Sequence, residues 1–165
     1  MDILLTYLIA HPPVAKVANA INYDLVTLHP MVVHLPIGLL MAAIAFELWY
    51  LLQKNTAFRF ASRATFVLGC LGAIAALGSG ILADHELGHE YAAHNLAHTH
   101  RNVMIASTAI WLLSLFVISK FQALLERFRF LHLSLYLITA ALFFLGAHIG
   151  GELVYDHAVG IKFLQ

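Results

Sequence analysis

Charge is what this sequence has least of. Aspartate, glutamate, lysine and arginine make up 11% of its 165 residues, where a soluble domain carries about 25%. Nine basic and nine acidic groups cannot cover a compact core drawn from a chain that is 61% hydrophobic. That excludes a soluble globule as the leading reading, and a mean hydropathy of +0.82 makes lipid the expected solvent. A formal net charge of zero removes the basic field on which nucleic-acid binding relies, so no DNA or RNA partner is expected. The single cysteine, Cys70, lies inside an apolar run. It excludes a disulfide framework and a cysteine-based zinc knuckle, and the C-x-x-C-H haem-attachment motif is missing. Histidine, by contrast, is abundant, with eleven residues.

Crossing a hydrocarbon layer about 30 Å thick takes about 20 mostly apolar residues in a helix, because every backbone polar group must be satisfied internally. Four segments meet that standard: residues 31–52, 61–83, 103–119 and 130–149. The expected fold is all-α, an integral membrane four-helix bundle over residues 29–165, preceded by an interfacial segment over residues 1–28. In that segment Val14, Val17, Ala18 and Ile21 recur at helical spacing opposite Lys16 and Asn19, the pattern of a helix lying in the interface. It lacks the basic start and cleavage pattern of a signal peptide.

Lys54, Arg59 and Arg63 fall between spans one and two, and Lys120, Arg127 and Arg129 between spans three and four. The positive-inside rule therefore puts both short loops in the cytoplasm. Both termini and the segment from Asp84 to Asn102 then face the periplasmic side of a bacterial inner membrane. Gly72, Ala76 and Gly80 on span two, with Gly146 and Gly150 on span four, allow close helix approach. Glu47 is the only acid well inside a span. It either snorkels to the nearby inner interface or serves a function.

In that orientation ten of the eleven histidines collect at or beyond the outer interface, and only His132 lies toward the cytoplasm. Neutral imidazole binds metal ions and haem iron and exchanges protons near neutral pH. Bundles hold cofactors between facing helices, so His34 on span one and His98 or His100 at the start of span three are opposing ligand candidates, with His148 on span four as a third. The outer loop also contains His85-Glu86-Leu87-Gly88-His89, which matches the H-E-x-x-H zinc-protease pattern. Protease chemistry is the least supported reading, because so His- and Glu-rich a segment matches easily and four spans leave little room for a substrate cleft. The i, i+4 spacing also suits a non-catalytic zinc, copper or iron site built from Asp84, His85, Glu86, His89, His94 and His98.

The stretch His29-Pro30-Met31-Val32-Val33-His34-Leu35-Pro36-Ile37 resembles the H-P-x-x-V-H-x-P-I signature of a bacterial family of small four-span membrane proteins, domain of unknown function 2231. Gly150-Gly151-Glu152-Leu153-Val154-Tyr155-Asp156-His157-Ala158-Val159-Gly160 resembles its closing motif, departing at Asp156 and Ala158. Asp84 and the run from His98 to Asn102 fall where that family carries an acid and an H-x-x-x-N. The resemblance implies the fold and a membrane location, supplies no reaction, and draws attention to His29, His34, His98 and His157.

These readings converge on a histidine-ligated cofactor near the periplasmic face, most concretely haem b for electron transfer. His34, His98 and His148 are the axial candidates, His29 and His157 orient ligands or contact propionates, and Arg101 is a propionate partner. The alternatives are a zinc-, copper- or iron-binding transport accessory and a structural or assembly subunit with no cofactor. Expected partners are the bilayer and a redox protein or another membrane subunit. Any enzymatic role would be redox rather than hydrolytic.

Overall fold

A computed structural model describes residues 25–87, 93–128 and 130–159. The interfacial helix expected within residues 1–28 lies almost wholly outside them. Six helices are described: α1 (Leu25–Val32), α2 (His34–Gln53), α3 (Thr56–Leu87), α4 (His94–Lys120), α5 (Gln122–Arg127) and α6 (Leu131–Tyr155). Four spans are long and apolar enough to cross a membrane: Val26–Gln53, Thr56–His85, His94–Lys120 and Leu131–Tyr155.

Local chemistry sets the breaks. Pro30 and Pro36 have no N–H to give to the carbonyls four residues back, and the helix interrupts between them at Val33. Lys54 adopts a left-handed conformation (φ 56°) and its N–H donates to the Tyr50 carbonyl at 2.7 Å, closing α2. Asn55 then accepts from the Ala57 N–H at 3.0 Å and opens α3. A reversal this short obliges α2 and α3 to pack antiparallel.

Pairing runs around a ring. α2 lies along α3 and α4 along α6, while α3–α4 and α2–α6 contacts close the four-helix bundle and α1 rests on α3. Its centre is aromatic: Phe66, Trp111, Tyr136 and Phe143 are buried. Phe66 stacks on Tyr136 with centroids 4.0 Å apart, and Trp111 bridges Phe66 to Phe143 at 5.3 and 5.5 Å. The Trp111 indole N–H donates to the Phe66 carbonyl at 3.1 Å. Hydroxyls in the interior turn onto their own helices, as Ser107 does to Val103 and Thr108 to Met104, and Ser114 meets Thr139 across α4 and α6 at 3.2 Å. The outside is apolar, with Leu52 79% and Phe60 76% exposed. Such a surface suits lipid and not water.

Every helix outruns its expected span. Helices continue through the headgroup region, where hydropathy falls but backbone bonding does not, so the sequence hydropathy marked only their apolar middles. Two consequences matter for the site. His29, His98 and His100 lie on helices within the span regions and not beyond them, and Arg59 and Arg63 sit on the first turns of α3 instead of in a loop.

Small residues let the large ones in. A Cβ on Gly69 would stand 2.7 Å from Trp111, so Gly69→Ala should cost about 1–3 kcal/mol by overpacking. Gly78, with nothing within 4 Å, should tolerate alanine. Reversible unfolding of both variants in mixed micelles measures the difference, and equal stability of the two would contradict this packing.

Candidate functional site

The ends of α1, α3, α4 and α6 surround a cavity of about 320 Å³. Its wall is mostly apolar, with Val33, Ile37, Met104 and Phe143 among the lining, and its polar members include His29, His34, Asp84, His100 and Arg101. An apolar concavity with a few convergent polar groups is the usual form of a small-molecule site.

His29 on α1 and His100 on α4 face each other across it, with ring centroids 6.3 Å apart and planes at 68°. Neighbouring groups hold Nδ1 of each ring. The Ser79 hydroxyl lies 2.8 Å from the Ala76 carbonyl and 3.0 Å from His29 Nδ1; when its proton goes to the carbonyl it accepts from His29, which then carries its proton on Nδ1. His100 Nδ1 lies 2.9 Å from the Gly146 carbonyl, which only accepts. With Nδ1 protonated, each ring keeps its Nε2 lone pair for a ligand. Metal-binding histidines are held in this way, with the far nitrogen donating to a carbonyl, hydroxyl or carboxylate.

Glycines make the room. A Cβ on Gly80 would lie 2.8 Å from His29 Cε1, and one on Gly150 would lie 2.9 Å from His100 Cε1. The other stripe members serve packing, Gly72 against Pro36 and Gly146 against Met104.

The remaining candidates separate by position. His34 is exposed, lines the cavity and donates from Nδ1 to the Pro30 carbonyl at 2.7 Å. Arg101 lies on the lining and pairs with Asp84 at 2.6 Å. Its Nη2 is 3.3 Å from His98 Nδ1, and the His98 ring sits 4.1 Å from that of His94. His98 thus stands beside the cavity wall and not on it. His148 is exposed on the outer face of α6, and His157 is exposed beyond its end. Neither belongs to the cavity. His85 is exposed at the end of α3, and the placement of the Glu86 side chain and of His89 lies outside the described residues. Among the described residues no group of three or more His, Cys, Asp or Glu is placed to hold a metal ion.

Sequence reasoning named His29 and His100 separately but missed that they pair. It also missed Ser79. The signal was available in the helical register, since His29 and Gly80, and His100 and Gly150, are matched large and small residues at the same depth of neighbouring helices.

The chain belongs to the family of predicted membrane proteins DUF2231, whose model matches residues 25–162. No curated protein matches the chain, and no solved structure does.

The tautomer assignment has a direct consequence. Nitrogen-15 spectra of histidine-labelled protein should show His29 and His100 protonated on Nδ1. Ser79→Ala should release His29 alone and leave His100 unchanged. A His29 signal that ignores the substitution would show that Ser79 does not hold the ring.

Proposed function

We propose that this membrane protein binds haem b between His29 and His100 and acts as an electron carrier of the bacterial inner membrane. The observation that carries the reading is the pair itself: two imidazoles on facing helices, each held through Nδ1, across an apolar cavity. The two rings lie with centroids 6.3 Å apart, close enough to serve one ligand held between facing helices. Two histidines complete the coordination of a porphyrin iron, whereas a bare zinc ion requires four ligands. The donor set therefore fits haem better than a single metal ion.

Haem supplies a one-electron couple when bound. The chain would contribute the rest. Ser79 and the Gly146 carbonyl orient the two ligands and make their Nε2 atoms more basic. Val33, Ile37, Met104 and Phe143 keep water from the cavity, and the dielectric around the iron sets its potential. Arg101, steadied by Asp84, offers a cation to the cofactor's carboxylates. This differs from the ligand assignment expected from sequence, in which His34, His98 and His148 were axial and His29 auxiliary.

The charge bias of the connections, with Lys54 at the α2–α3 turn and Lys120 and Arg127 around α5, supports an orientation in which the histidine end faces the periplasm. In a Cys70→Ser background, Asp156→Cys should react with a membrane-impermeant thiol reagent in intact spheroplasts. Asn55→Cys should react only after permeabilisation, and the opposite pattern would reverse the orientation.

Detergent-purified protein should show a Soret band with α and β bands after dithionite reduction. His29→Ala and His100→Ala should each abolish the six-coordinate spectrum, and His148→Ala should leave it intact. A colourless folded protein after haem supplementation would overturn the reading, as would a spectrum indifferent to both ligand variants. Stoichiometric zinc, copper or iron without these bands would move attention to the residues around Asp84 and His98.

A further inference from the structure

The opposite half of the bundle holds a second polar cluster, separated from the histidine cavity by the aromatic core. Glu47 on α2 is fully buried, as are Ser62 on α3 and His132 and Tyr136 on α6. Arg59 and Arg63 reach in from the first turns of α3. Arg59 Nη2 donates to His132 Nδ1, and Arg63 Nη2 sits 3.3 Å from His132 Nε2. The guanidinium of Arg59 also lies 4.6 Å from the centroid of the Tyr50 ring. Glu47 and Tyr136 interact electrostatically with each other and with both arginines, and both adjoin Ser62.

Hydrogen bonding in this cluster is unfinished. Both oxygens of Glu47, the Tyr136 hydroxyl, Arg59 Nε and Arg63 Nε are buried without a well-aligned hydrogen-bond partner, and only Ser62 Oγ stands close enough to Glu47 and Tyr136 to bond weakly to them. Five such atoms in one place are many for a native interior, where almost all buried polar groups find partners. The missing partner must serve opposite needs, because the two Nε–H groups require an acceptor and the carboxylate oxygens require a donor. A small anion accepts but cannot donate, and it would stand against the Glu47 carboxylate. Water does both, with two protons to give and two lone pairs to receive. Ser62 already gives its proton to the Ala43 carbonyl at 2.9 Å and has only acceptor capacity left for such a water.

We infer that Glu47 is a reversible proton-binding site, solvated inside the bundle by water held between Tyr136, Ser62, Arg59 and Arg63. Access is from the Lys54 end, since Arg59 and Arg63 are only half-buried and the Lys54–Asn55 turn beside them is exposed. The charged and titratable groups facing Glu47 are Arg59 and Arg63 from α3 and Tyr136 from α6, with His132 of α6 held by the same two arginines. Ionisable groups inside a span, paired and facing the bundle interior, are the usual elements of proton transfer. This site is independent of the haem reading, because it shares no residue with the histidine cavity.

Infrared difference spectra between acid and alkaline pH, recorded on the whole protein in lipid vesicles, test it. The expected result is a protonated-carboxylic-acid carbonyl band that appears at low pH, shifts down in deuterium oxide and is absent from Glu47→Gln. Tyr136→Phe should shift the frequency of the same band by changing the water around it. A wild-type spectrum without a titrating band, or a band equal in wild type and Glu47→Gln, would overturn the proposal. Should Glu47→Gln fail to assemble, a band whose frequency is unmoved in Tyr136→Phe would overturn it equally.

Discussion

Hydrocarbon offers no hydrogen bonds, and every polar group in this bundle is placed by that fact. A side chain that must keep a donor or acceptor has three options in a span: to bond to its own helix, to bond across to another, or to meet in the interior a species that can bond to it. The serines and threonines of the middle take the first two, through Ser107, Thr108 and the Ser114–Thr139 pair. Histidine, glutamate and arginine have more bonding capacity than a helix backbone can absorb. They gather at the two ends of the bundle, where the third option exists.

The two ends solve the problem differently. At the histidine end each imidazole satisfies one nitrogen with the protein and presents the other to an apolar cavity, an arrangement that suits a bulky, mostly apolar ligand with one strong acceptor of lone pairs. At the Lys54 end the buried polar groups Glu47, Ser62, His132 and Tyr136 gather with two arginines, a set that suits water and protons. Glycine has a related part in each half of the bundle: Gly80 and Gly150 admit the imidazoles, and Gly69 admits Trp111, whose ring closes the aromatic layer between the ends.

Hydropathy alone was enough to read four membrane-crossing helices and their order, because burial in lipid is recorded in long apolar runs with no need of a pairing partner. The family was legible too, in the two stretches around His29 and Gly150. What stayed hidden depended on register between helices. His34 and His148 looked central because they lie close to the apolar runs, yet His34 is exposed at the start of α2 and the rotation of α6 carries His148 to the outside. His29 looked external because hydropathy drops before Met31, although the helix does not. Arg59 and Arg63 read as loop cations that orient the protein. They keep that location at the bundle end, but the start of α3 at Thr56 also turns them inward onto His132.

Between the two clusters lies a close-packed, mainly apolar layer. Phe66, Trp111, Tyr136 and Phe143 fill it in continuous ring contact, and Leu40 and Ala43 pack beside them with almost no exposure. Phe143 lines the histidine cavity, and Tyr136 at the other end of the same row carries its hydroxyl into the Glu47 cluster. Anything that couples the ends must cross this layer, and two means are available. A charge gained at one end is felt at the other because the medium between them screens weakly. A row of aromatic rings in contact also transmits displacement, since a close-packed interior has little slack to absorb it. The bundle is thus closed across its middle by a close-packed layer between a cavity at one end and a buried polar cluster at the other, an arrangement of side chains that argues against through-conduction.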